Sequence, residues 1–159
     1  MLFAMFANAF FEILLAVIVF LLLIAIGSFF VIRNLVYDVK KTNKIRGRFH
    51  IEIRKIVNLI FNVHQSEKLE PFSKVVIKKL PHEEKKNLLK VIEEVYNDLE
   101  DLESDDNKYI VETYDNLQKL RRERDARLLV YNQKLTIFPF SFYARIMKLK
   151  PYGIYTEKY

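Results

Sequence analysis

The side chains that most often do chemistry are few in this chain and poorly arranged for it. Its 159 residues include three histidines, His50, His64 and His82, and no cysteine. Thiolate metal sites, cysteine nucleophiles, disulfides and cysteine-anchored lipidation are therefore excluded. His50 and His64 can share a helix face, but no Glu-x-x-His pair occurs, so a di-metal centre of the ferritin type has no support. Solvated or partly packed histidines are the expectation. The acidic run Glu93, Glu94, Asp98, Glu100, Asp101, Glu103, Asp105, Asp106 contains no intervening base. A calcium loop needs alternating ligands and a turn glycine, and neither is there. The run reads as a solvated face or a surface for a basic partner. Gly-x-Gly-x-x-Gly, P-loop, Gly-x-Ser-x-Gly and His-Glu-x-x-His motifs are all absent. Arg121, Arg122 and Arg124 alternate with Glu123 and Asp125, closer to an ion-pair lattice than to a phosphate-binding patch. The reading is a non-enzyme with no catalytic residues, no metal, no cofactor and no nucleic-acid partner.

Membrane attachment is far better advertised. The first 32 residues carry one charge, Glu12, and all 26 Lys and Arg residues lie at Arg33 or later. Ile13 to Ile32 is a run of 20 uncharged residues. A helix of that length extends roughly 30 Å, the thickness of a bilayer's hydrocarbon core. A cleaved signal peptide would have a basic start, a shorter apolar stretch and a small-residue cleavage site. Here no base precedes the stretch, and Gly27-Ser28 is followed by Phe29-Phe30. The flank holds Arg33, Lys40, Lys41, Lys44, Arg46 and Arg48 against the single acid Asp38. Cytoplasmic flanks are the ones enriched in Lys and Arg. The expectation is a single-pass cell-membrane protein with its N-terminus outside and its long C-terminal part cytoplasmic. The same six bases are candidate contacts for anionic lipid, each contributing on the order of 1 kcal/mol near a charged surface. Fixing the topology alone is an equal account of them.

Beyond Arg33 the apolar spacing is helical. Leu35, Val39, Phe49, Ile53, Ile56, Ile60 and Val63 follow a three-and-four register, with Thr42 and Arg46 in its two gaps, as in helices of coiled-coil type. No proline interrupts residues 1–70, so the span is expected to run directly into this helix, with Gly47 its weak point. Pro81 followed by Glu83 and Glu84 marks a second helix start. That helix presents Leu88, Ile92, Val95, Leu99 and Leu102 on one face. Glu103 to Asp106 ends it and offers the next N-cap. The last long helix is expected over about 108–138, with Ile110, Tyr114, Leu117, Leu120, Leu128, Tyr131, Leu135 and Phe138 apolar, and Pro139 as its stop. Three glycines and four prolines leave no room for a turn-rich β fold. The fold class is all-α: one transmembrane helix, then an antiparallel long-helix bundle. Its regions are a leader and span at 1–33, the bundle at 34–139 and a basic-aromatic tail at 140–159. The tail suits either a bilayer interface or the end of the bundle, with the bundle end preferred.

Arg121, then Tyr131-Asn132, Phe138-Pro139, Ala144 and the basic-aromatic ending around Lys148 to Tyr155 fall in the order and spacing of the last helix of LemA proteins. The chain resembles that family of bacterial single-span membrane proteins. The family carries two Tyr-Asn pairs seven apart. The second is present here, and Arg124-Asp125 stands at the first. Leu59-Ile60-Phe61-Asn62 similarly occupies the place of a Leu-Ile-Pro-Asn. The resemblance implies an N-terminal anchor, a cytoplasmic helical bundle and no catalysis. It also implies a structural role for Arg121, Tyr131, Asn132, Phe138, Pro139 and Ala144: Tyr131 packed with its hydroxyl partnered, Asn132 bonded to backbone, Phe138-Pro139 closing the helix against the core. The first functional reading is a membrane-anchored scaffold that binds a protein partner or itself. The alternative is a membrane-surface module that binds or shapes anionic lipid.

Overall fold

The computed structural model describes residues 2–99 and 105–155, and among these every regular element is helical. Helix α1 (Leu2–His64) runs 63 residues without a break, so no backbone feature separates its apolar half from its amphipathic half. The apolar half is bare: its most hydrophobic window has a mean hydropathy of 3.1 and none of it is buried. It is long and apolar enough to cross a membrane. The second half changes character at Leu35, which is fully buried, and from there Ile45, Phe49, Ile53, Ile56, Val57 and Ile60 enter the core. The anticipated stripe thus holds through Ile60. Val39 is only half-buried and Val63 is 43% exposed, because the chain leaves α1 one residue later.

Residues 65–81 bring the chain back along α1. A turn of 3₁₀ helix at Glu67–Leu69, the short α2 (Glu70–Ser73) and a second 3₁₀ turn at Ile77–Lys79 compose this return. Arg54 pins it, donating from Nη1 to the carbonyl of Ser73 at 2.6 Å. Helix α3 (His82–Asn97) therefore starts beside the middle of α1, and its C-cap Asp98 ends beside Lys68 at 3.4 Å. It buries Leu88, Leu89, Ile92 and Val95. Helix α4 (Asp105–Lys134) returns antiparallel to α1 and α3. Leu102 and residues 100–104, including the expected start of the cap segment, lie outside the described residues.

The α1–α4 register is set at both ends. His64 Nε2 meets Asn107 Oδ1 at 2.6 Å, and Lys134 Nζ donates to Asn34 at 2.8 Å and to Asp38 at 2.5 Å. A 30-residue helix at about 1.5 Å per residue is about 45 Å long, the same as the stretch of α1 from Asn34 to His64. Pairing consequently stops where the apolar stretch begins. Between the two ends Ile110, Leu117, Leu128 and Tyr131 are buried.

Helix α4 ends at Lys134, four residues before the expected Phe138. Pro139 does not stop it. The chain turns over 135–139, and Pro139 instead caps the short α5 (Phe140–Ile146). Phe138 does not close against the core either: it is 81% exposed. The tail then folds back between α1 and α4, so Ala144 and Tyr155 belong to the core rather than to a separate region.

Gly47 sits on the exposed side of α1 with nothing within 4 Å of an added Cβ. Gly47→Ala should therefore raise the unfolding free energy by about 0.5–1 kcal/mol, the backbone-entropy difference between the residues. Denaturant titration of the full chain in detergent reads it directly.

Candidate functional site

Two constellations remain once the core is accounted for. The first is a seam between α1 and α4 just below the apolar stretch. Tyr37, Lys40, Lys41, Lys44, Ile45, Arg48, Glu123 and Arg127 line an open groove of about 440 Å³. A second depression of about 400 Å³ adjoins it through Lys41, Glu123 and Arg127, and adds Asp38, Thr42, Ala126, Val130 and Tyr131. Arg33 lies above them, in a depression shared with Phe30, Tyr37 and Lys134. Five of the six bases expected to face lipid are thus exposed on one flank. Arg46 is not among them. It is half-buried, with its guanidinium 4.2 Å from the centre of the Tyr152 ring, so it holds the tail instead. The acids lining these depressions are Asp38, paired with Lys134, and Glu123, paired with Arg127 at 3.3 Å.

The second constellation gathers three of the motif residues, Arg121, Tyr131 and Asn132, while Phe138, Pro139 and Ala144 lie elsewhere, at the turn and on α5. Asn132 donates from Nδ2 to the Tyr152 carbonyl at 2.8 Å and accepts from the Tyr152 amide at 2.9 Å. Asp125 accepts from the Tyr155 amide at 3.1 Å. Arg124 donates to the Gly153 carbonyl at 2.9 Å, and Arg121 to the Tyr155 carbonyl at 3.0 Å. The spacing explains the fit. Seven helical residues rise about 10.5 Å, and three extended residues span about 10 Å, so Asp125 and Asn132 reach Tyr155 and Tyr152 in register. Both pairs seven apart, Arg124-Asp125 and Tyr131-Asn132, therefore clasp the tail's backbone.

Aromatic packing completes the clasp. Tyr131 lies 5.5 Å from Tyr152, and Tyr155 stacks between Phe49 at 5.7 Å and His82 at 4.5 Å. Arg124 covers the Tyr155 ring at 4.1 Å. Gly153 passes so close to His82 that a Cβ there would lie 2.7 Å from the ring. Sequence reasoning places Arg124 and Asp125 in a surface lattice, yet they are 3% and 5% exposed and paired with each other. The heptad offset from Tyr131-Asn132 is the signal that could have found them.

The clasp is rich in positive charge. His50 is held down to about 4 by burial and by Lys85, Arg46, Arg124 and Lys78 around it. Burial also lowers Arg124, which Asp125 partly offsets, and lowers Lys85. Burial raises Tyr155 against the opposing pull of Arg124 and Arg46. The histidines do not converge: His64 bonds Asn107 at the far end, and His82 stacks on the tail. Among the described residues no three His, Cys, Asp or Glu side chains gather as a metal site would require. The seam suits electrostatic contact, and the clasp ties the tail to α4.

No protein-family model, curated protein or solved structure matches this chain.

Asp125→Asn leaves Arg124 buried without its counter-ion and should cost about 3 kcal/mol, whereas Asn132→Ala, which orphans two backbone groups, should cost about 1–3 kcal/mol. Hydrogen exchange should show the Tyr155 amide losing protection in the first variant and the Tyr152 amide in the second. Because His50 binds a proton more weakly folded than unfolded, its contribution is complete above about 6.5 and is lost as pH falls toward about 4. His50→Gln should flatten the stability-against-pH curve in that window relative to the parent chain.

Proposed function

We propose that this chain is a membrane-anchored, non-catalytic helical-bundle module. Its N-terminus lies outside, its bundle stands at the cytoplasmic face of the cell membrane, and it acts there as an interaction scaffold. The observation that carries the reading is the unbroken α1, whose bare apolar half continues into the helix that organises the core. A helix shared in this way holds the bundle at fixed height and orientation, which is what a presenting scaffold needs. The basic flank from Arg33 to Arg48 supports the orientation. The surface left for a protein partner is charged. Glu83, Glu84 and Glu94 are exposed on α3, and they suit a basic partner. Leu117 and Leu128 of α4 are buried, so they offer no surface to a partner.

The seam favours a second reading, contact with anionic lipid. At about 1.5 Å per residue, Lys40 and Lys41 lie about 12–14 Å beyond Ile32, and Arg48 about 24 Å. The headgroup layer is about 5–8 Å deep and salt screens beyond about 8 Å. Arg33, Lys40 and Lys41 therefore reach headgroups with their long side chains, while Lys44 and Arg48 lie too far away.

The absence of cysteine makes the orientation directly testable. A single cysteine at exposed Asn87 should resist a membrane-impermeant maleimide in intact cells and react after permeabilisation. Reaction in intact cells would reverse the topology. For lipid, adding anionic lipid to the detergent-solubilised chain should raise Tm at low salt. The rise should disappear in Lys40→Gln/Lys41→Gln, and an equal rise in that variant removes the lipid reading.

A further inference from the structure

We propose that α5 and the turn before it are a second membrane-contacting element. Phe138, Phe142 and Ile146 would sit in the interface of the leaflet that holds Ser28. The inference rests on α1 crossing the bilayer and adds a contact that the anchor alone does not require.

The placement carries it. Ser28 is the single side chain in Ile13–Ile32 that bears a hydroxyl. Its Oγ donates to the Ile24 carbonyl, as membrane helices commonly arrange, and it also meets the Tyr143 hydroxyl of α5. After the turn at 135–139, the chain thus climbs past the last α4 contact with α1, at Asn34, and enters the apolar stretch. Ser28 lies five residues inside Arg33, about 7–8 Å along the helix. Interfacial helices bury their apolar faces to about 5–10 Å below the headgroup boundary.

The chemistry of the exposed face agrees. Phe138 is 81% exposed, Phe142 55% and Ile146 62%, while Ala144 between them is buried against the bundle. Leaving three large apolar groups in water at one end of a bundle is unfavourable relative to burying them. Below α5 the adjacent Leu129 and Val130 on α4 are also exposed, at 55% and 56%, while Ile51 and Tyr109 stand apart from them. The rim beside the face is basic, with Arg145 and Lys148 exposed and able to extend toward phosphates. A bilayer is the occupant that matches, because this surface is continuous with the apolar half of α1 through the Ser28–Tyr143 contact. A protein partner or second copy would have to share that position with lipid.

The chain contains no tryptophan, so a single substituted Trp is the only indole reporter. Full-length chain in liposomes would carry Phe20→Trp, Phe142→Trp, Ile146→Trp or Tyr109→Trp, with lipids brominated near the headgroup end or near the tail of the acyl chain. Phe142→Trp and Ile146→Trp should emit at blue-shifted wavelength and lose most emission to the shallow bromines and less to the deep ones. Phe20→Trp should be quenched by the deep bromines and Tyr109→Trp by neither. Quenching at Phe20→Trp with none at Phe142→Trp and Ile146→Trp would overturn the proposal and leave the anchor standing. Absence of quenching at Phe20→Trp as well would overturn both.

Discussion

One helix carries two kinds of surface, and the rest of the molecule depends on where it changes between them. From Ile13 to Ile32 every face of α1 is uncharged and largely exposed, and from Leu35 one stripe is buried while the others carry charge. A helix closes its own backbone hydrogen bonds in either environment, so it can cross such a boundary without a break. Helix α4 is cut to the length of the second part alone. Its C-terminal Lys134 meets Asn34 and Asp38 at the changeover, and its first turns meet His64 where α1 ends. That register fixes the position of everything built on α4.

The tail depends on this arrangement. A bundle with α3 running only along the far part of α1 leaves the near part covered on one side by α4 and open on the other. Residues 150–155 fill that space as chain outside any helix, whose backbone groups need partners from elsewhere. Arg121, Arg124, Asp125 and Asn132 supply them from α4. The cost is a cluster of buried cations, with Asp125 as the acid placed among them. Burial first and these cations second depress His50, and two of the cations, Arg46 and Arg124, cover the Tyr152 and Tyr155 rings.

Much of the helical layout is legible in the residues, because period and proline position are local signals. The stripe on α1 and the start of α3 after Pro81 are of that kind. The end of α4 is not, because Leu135 and Phe138 continue its period, although Phe138 faces outward. Residues 65–81 offer no period to read, since they fold as single turns around Arg54. The clasp is half legible. Asn132 is expected to bond backbone and does, but its target lies 20 residues on. Arg124 and Asp125 look like surface charge because nothing local reveals that a returning extended segment will bury them.

In the proposed membrane-anchored arrangement, the height of the bundle depends on α1 being one rigid helix from the bilayer into the core. The most direct test is a spin-label distance across the changeover, with cysteines introduced at Leu22 and Lys44 and the full chain in nanodiscs. A continuous helix predicts one narrow distribution near 33 Å between backbone positions, from about 1.5 Å per residue. A broad distribution, or one centred well below that distance, would mean a hinge at the boundary and a bundle free to swing. The height that the anchor, the seam and α5 all depend on would then be lost.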